Sequence, residues 1–230
     1  MWRSFLGRRS RGGGFSVVLL IFGVFGCIST AAMVFLGAPL AWGQARKVAA
    51  LPQPAANALA TLTPGTEALF TAQLPAPEET GPFGLALYYV EVLQEAQSSE
   101  GGTPSRSQTW VRESPSPAAV TLRLSDGGQL RVQLPQQVAF YNAQRQESLA
   151  DTEERAMRYV GYLPLQTLTV HGTWESDGVV TAEALYAGSA AAYVDYRQSQ
   201  PGTALVTGGF CGGVALLLLA VGVVLRFLGK

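Results

Sequence analysis

Histidine is almost missing from this chain: His171 is the only one in 230 residues. Cysteine is nearly as scarce, and both copies, Cys27 and Cys211, fall inside long apolar runs. The stretch between those runs has none, which excludes a disulfide staple and a thiolate zinc site there. No G-x-S-x-G elbow, phosphate-binding glycine loop, His/Asp/Ser set or zinc-ligand spacing is present. The sequence therefore assigns no catalytic, cofactor-binding or metal-ligating residue, and an enzyme is not expected. Acids are missing from both ends. Residues 1–14 carry Arg3, Arg8, Arg9 and Arg11, the last five carry Arg226 and Lys230, and all 16 acids lie between Glu67 and Asp195. Residues 44–203 hold 10 basic against 16 acidic groups, a net of −6, which is not the footprint of a nucleic-acid binder.

What fills the uncharged stretches is apolar. Phe15–Trp42 runs 28 residues without a charge, and Ala204–Leu225 runs 22. A helix of the first length would reach roughly 42 Å, against a hydrocarbon core of about 30 Å. Both read as transmembrane helices, the first as an uncleaved signal anchor, because cleaved signal sequences have apolar cores of only about 7–15 residues. Arginines outside both spans place both termini in the cytoplasm of a two-pass plasma-membrane protein. An organellar membrane is the alternative, since an Arg/Ser/Gly-rich, acid-free start also suits a transit peptide. The expected domains are a basic tail (1–14), the first span (15–42), a linker (43–64), an extracytoplasmic β domain (65–200), the second span (204–225) and a short tail (226–230).

Within the β domain, "GTEALFTAQL" (65–74), "GLALYYVEVLQEA" (84–96) and "QTWVRE" read as strands, with a flexible loop at 97–107. Two hairpins follow from alternation. In "VTLRLSDGGQLRVQL" (120–134), a three-residue loop Asp126-Gly127-Gly128 pairs Leu124 with Leu130 and Leu122 with Val132, with Gly128 left-handed. In the second, a loop of Ser176-Asp177-Gly178 pairs Trp174 with Val180, Gly172 with Ala182, Val170 with Ala184 and Leu168 with Tyr186. His171 then faces solvent among Thr169 and Thr173, opposite Glu183, as a surface pair. A haem or metal role would need further ligands, and only Met157 is on offer. The stretch 142–160 reads as the domain's one helix, with Leu149, Ala156 and Val160 on one face. Its adjacent Glu153 and Glu154 diverge by about 100° and form a solvated face, not a catalytic pair.

"GGFCGG" at 208–213 holds two overlapping small-xxx-small pairs, Gly208/Gly212 and Gly209/Gly213. Glycines four apart let a neighbouring helix approach closely. Candidate partners are the chain's own first helix with Gly23 and Gly26, a second copy, or a foreign subunit.

The order of features resembles the GIDE-type domain, also called the BAM ("beside a membrane") domain, of a mitochondrial membrane-anchored ubiquitin ligase and its smaller bacterial relatives. The matching positions are Tyr88-Tyr89 with Glu91, Asp126-Gly127, and the run from Leu165 to Gly172 before Trp174 and a second Asp-Gly. The resemblance spans roughly residues 64–228. It implies a β-rich, barrel-like module beside the bilayer, without ligase activity, because no zinc-binding RING follows the second helix. The fold class expected is thus two transmembrane helices flanking an OB-like or barrel-like β domain with one short helix. The function expected is a non-catalytic binding or assembly module for a membrane-protein partner, with the bilayer itself as the other partner. A small-ligand or lipid binder and an accessory subunit of a membrane complex are the alternatives.

Overall fold

The computed structural model describes residues 12–32, 35, 37–98, 105–148, 156–175 and 178–228. The chain divides into two compact units, Ala50–Tyr193 and a second made of Met1–Ala49 with Val194–Lys230.

The first unit is β-rich and built on a closed five-stranded barrel. Strands β1 (Glu67–Gln73), β4 (Ala119–Arg123), β5 (Gln129–Gln133), β9 (Thr167–Trp174) and β10 (Val179–Ala187) are ordered β5-β4-β1-β9-β10, and β10 closes the ring on β5. All neighbouring pairs are antiparallel except this closing one, which is parallel. The core follows from alternation: Phe70, Leu122, Leu130, Val132, Leu168, Val170, Val180 and Leu185 all point inward and are buried. β1 meets β4 at one residue pair, Gln73 with Arg123. Along part of the remaining edge, Leu69 N–H donates to the Pro52 carbonyl, so residues before the barrel take over the backbone bonding.

Two insertions build a second, antiparallel sheet of order β3-β2-β8-β7. β2 (Leu87–Ser98) and β3 (Ser105–Arg112) lie between β1 and β4; β7 (Gln144–Ser148) and β8 (Met157–Tyr162) lie between β5 and β9. The short β6 (Ala139–Tyr141) extends β10 in parallel. Tyr162 ties β8 to the barrel: its hydroxyl donates to the Leu185 carbonyl at 2.8 Å and lies 3.1 Å from that of Tyr141. Burial holds the Tyr162 phenol far above its ordinary pKa.

Several expectations need correction here. The described parts of 142–160 are not helical: Gln144–Ser148 and Met157–Tyr162 pair as strands, and residues 149–155 lie outside the described residues. Glu153 and Glu154 lie outside the described residues. The period-3.6 spacing of three apolar residues was outweighed by the inward face of Val160 and Tyr162, both buried. Among the described residues, the unit's helical turns are short 3-10 segments at Ala56–Thr61 and Pro82–Gly84 and the start of the C-terminal helix at Ala190. In the first hairpin, Leu122 pairs with Leu130 and Val120 with Val132, two residues from the expected register. A two-residue slip keeps every side chain on its face, so alternation alone cannot choose. The turn decides: Gly127 N–H closes on the Leu124 carbonyl, and Gly127 (φ 88°), not Gly128, is left-handed.

The second hairpin starts as expected, Trp174 with Val180 and Gly172 with Ala182, then shifts by one residue at a bulge between Ala182 and Ala184. Val170 therefore faces Leu185, and Leu168 faces Ala187. Inward positions Val180, Ala182, Leu185 and Ala187 carry the shift in their own spacing. Close approach fixes Gly172 beside the bulge, since a Cβ there would collide with the Thr181 carbonyl and sit 2.9 Å from Val180 Cγ1.

The helical unit holds α1 (Gly12–Ala32), α2 (Ala38–Ala49) and most of α3 (Ala190–Leu228), which begins in the barrel unit. Among the described residues one helix, not two, is long and apolar enough to cross a membrane: α3, over Ala190–Leu225. In the first apolar run the described residues are α1 to Ala32, π-helical positions at Phe35 and Gly37, and α2 from Ala38, while residues 33, 34 and 36 lie outside the described residues. The segment expected as a linker is helical to Ala49.

Candidate functional site

Three neighbouring barrel strands bring the histidine into company. On β9, Leu168, Val170, Gly172 and Trp174 face inward, so Thr169, His171 and Thr173 face outward. Yet Thr169 and His171 are buried, at 1 % and 7 % exposure. The expected solvent-facing histidine is thus corrected. Its cover includes Tyr193, in the first turn of α3, which is itself buried.

His171 Nε2 lies 2.9 Å from Glu67 Oε1 on β1 and 4.0 Å from Glu183 Oε2 on β10. Its Nδ1 lies 3.3 Å from the Tyr193 hydroxyl. Both ring nitrogens are therefore partnered, which spares the barrel wall the roughly 1–3 kcal/mol of a buried polar atom left unsatisfied. Nε2 is placed to donate to the Glu67 carboxylate, and Nδ1 shares a hydrogen bond with the Tyr193 hydroxyl. Each partner has a structural cause. Glu67 opens β1 opposite Thr173, one diagonal step from His171, which faces Leu69. Glu183 is the extra residue of the β10 bulge; Ala184 takes the place directly opposite His171. Nearby, Tyr193 also packs on Tyr186 and Tyr141, and Thr169 donates to the Gly188 carbonyl at 2.8 Å.

Sequence reasoning placed Glu183 beside His171 but missed Glu67 and Tyr193. The stretch 65–74 was read as a strand, but nothing in the sequence announced that β1 would pair with β9. Met157 ends up on β8, with its sulfur accepting from the Tyr159 hydroxyl at 3.6 Å.

A second cluster lies on the inserted sheet. The Arg112 guanidinium stacks over the Tyr89 ring at 3.7 Å and lies 5.4 Å from the Phe140 centroid. Its Nε and Nη2 are buried without a hydrogen-bond acceptor, and desolvation lowers its pKa. Burial, reinforced by Glu91, raises that of Tyr89.

The glycine face divides. A Cβ on Gly212 would sit 2.8 Å from Thr30 Cγ2, one on Gly26 2.6 Å from Ala215 Cβ, and one on Gly23 2.9 Å from Leu219 Cβ. These three glycines are where α1 and α3 approach. Gly209 and Gly213 have nothing within 4 Å of a built Cβ. The surroundings of Gly208 lie outside what the structure describes. Comparison with protein-family models, curated proteins and solved structures found no match for this chain.

Proposed function

We propose that this protein is a membrane-anchored module without catalytic chemistry, in which α3 spans the bilayer and the β-rich unit serves to bind or organise a membrane-protein partner. One observation carries the reading: only 18 % of the most apolar window of α3 is buried within the protein. A soluble core helix is covered; this one leaves Val206, Phe210, Leu216, Leu217 and Phe227 exposed. Lipid is the solvent that suits such a surface. Gly209 and Gly213, four apart and uncovered, suit a helix from another subunit, whereas Gly212 is already engaged with Thr30.

The strand order and its single parallel closure support the OB-like form of the barrel. OB domains use the face of their second and third strands, here β4 and β5. The outward residues there, Thr121, Arg123, Gln129, Arg131 and Gln133, include no aromatic on which a base would stack. That supports a protein partner over nucleic acid. The resemblance to GIDE-type domains belongs to the same proposal, since it implies a β module beside a bilayer. The reading of a small-ligand binder rests on an open cleft at the β1–β4 seam, lined by Thr71, Gln73, Arg123, Ser125 and Thr167.

The test is cross-linking in native membranes, purification in gentle detergent and mass spectrometry of proteins and lipids. A stoichiometric partner is expected for the native chain and lost in the double variant Gly209→Leu/Gly213→Leu, with the variant still in the membrane. A native chain carrying only a small ligand overturns the assembly reading in favour of the cleft. Release of the native chain by alkaline carbonate overturns the anchor.

A further inference from the structure

We propose that Glu67, His171 and Glu183 form a binding site for a divalent transition-metal ion, with zinc the best fit. His171 Nε2 and one carboxylate oxygen from each glutamate lie within 4.8 Å of one another. In a tetrahedral zinc shell, with bonds of about 2.0–2.2 Å, ligand atoms stand about 3.3 Å apart. The Nε2 separations here, 2.9 Å to Glu67 and 4.0 Å to Glu183, bracket that value. Glu67 would withdraw by about 0.4 Å and Glu183 approach by about 0.7 Å to complete the shell. Both movements lie within the reach of side-chain rotation, with no change of backbone.

The three ligands stand on adjacent strands of a closed barrel, β1, β9 and β10. Rigid elements hold a ligand set at lower cost than loops do. The bulge that carries Glu183 departs from the simple ladder at the one position where Glu183 meets the histidine. Bulges commonly re-aim a side chain in this way. The outer contact of the ring also fits. A ligating imidazole has its other nitrogen held by a second group, which sets tautomer and orientation. When Nε2 gives up its proton to bind the ion, Nδ1 carries the proton and donates to the Tyr193 oxygen, 3.3 Å away.

Charge and donor type name the ion. Two carboxylates balance a 2+ ion, and an imidazole with carboxylates selects zinc and its neighbours over calcium or magnesium, which prefer all-oxygen shells. The Glu183 side chain is 57 % exposed while that of His171 is 9 % exposed, so the site opens to solvent on the Glu183 side. The fourth position goes to water there. The site is independent of the membrane and partner readings above.

The experiment uses the full chain in detergent, purified without a histidine tag and stripped with a chelator. Zinc is titrated by calorimetry, and the ring is followed by histidine-selective 15N NMR, in which the single histidine gives a single set of signals. One equivalent of zinc is expected to bind, with Nε2 left unprotonated and the ring proton carried on Nδ1. Glu183→Gln, at the exposed ligand, is expected to weaken binding at least tenfold while leaving the melting temperature of the metal-free protein within a degree or two. Glu67→Gln is expected to weaken it at least as much. Absence of saturable binding overturns the site. So does an Nε2 that stays protonated in excess zinc, or an affinity unchanged in Glu183→Gln, either of which assigns the uptake to scattered surface carboxylates.

Discussion

The barrel and the long helix use similar residues in opposite ways. In the barrel Leu122, Leu130 and Val132 are fully buried, and polar side chains occupy the outer face. On α3, Val206 and Phe210 are 75 % exposed, and each close approach to the neighbouring helix has a glycine on one side, Gly212 of α3 or Gly23 and Gly26 of α1. One pattern answers to water, where apolar area must be hidden at about 25 cal/mol per Å². The other suits lipid, the medium proposed for α3, in which leucine has nothing to gain by hiding and close backbone packing brings helices together. On that proposal a single protein carries two rules for where an apolar side chain belongs.

Matched truncations test whether the rules differ. Leu130→Ala opens a cavity in the barrel and is expected to cost about 2–5 kcal/mol, read by denaturant unfolding followed through Trp174 fluorescence. Phe210→Ala removes more apolar surface from α3, yet is expected to leave that transition within about 0.5 kcal/mol. Equal losses at the two sites would show α3 to be a core helix after all.

Charge sharpens the same contrast. An arginine near the middle of a spanning helix costs about 2.5–3.5 kcal/mol of insertion. Leu217→Arg is therefore expected to shift a large fraction of the chain out of carbonate-washed membranes. The same substitution on the surface of a soluble helix would leave fractionation unchanged.

Between barrel and inserted sheet the join is Tyr162, and pH reads it. Its phenol has a folded-state pKa above the ordinary 10.0, raised by burial. Below pH 10 it is protonated in both states, and its contribution to stability is fully present. Above pH 10 the unfolded chain releases this proton while the folded one keeps it, so stability falls as pH rises. The slope belonging to one such group is about 1.4 kcal/mol per pH unit. Tyr162→Phe, though less stable throughout, is expected to show a decline above pH 10 that is shallower by that amount, measured in chemical denaturation at stepped pH.

How much of this was written in the sequence depends on range. Local pattern was enough for strands within 65–74, 84–96 and 108–113 and for the inward face of β9. Strands also run to Ser98 and from Ser105, into the stretch expected as a loop. The barrel-like class came from the family resemblance rather than from alternation. Alternation also placed Glu183 next to His171. What alternation could not carry was pairing at a distance: that β1 lies on β9, which supplies Glu67, or that the chain turns into α3 just where Tyr193 covers the ring. The bulge at Glu183 was legible in principle, since the inward residues step from 182 to 185 rather than 184. Residues 142–160 misled because a handful of apolar positions fits a helix and a pair of strands about equally well, and only the partner strand β2 decides between them.

The smallest effect tests the finest of these distinctions, the turn between β4 and β5. Alternation places the left-handed residue at Gly128; the structure has it at Gly127, with φ of 88°. Alanine in that conformation brings its Cβ against the carbonyl that follows, at a cost of about 1–2 kcal/mol. Gly128 has no positive φ; its N–H donates to Asp126 Oδ1 at 2.9 Å, a bond alanine keeps. A Cβ there meets the same oxygen at 3.1 Å, at an exposed side chain that can yield by a few tenths of an ångström. Gly127→Ala is therefore expected to lower the unfolding free energy more than Gly128→Ala. Asparagine at 127, which tolerates the left-handed region, is expected to recover part of the loss. If Gly128→Ala proved the costlier, the register would be the three-residue loop that alternation alone suggests, with Leu124 facing Leu130. The two glycines thus report on a two-residue slip that leaves every buried face unchanged.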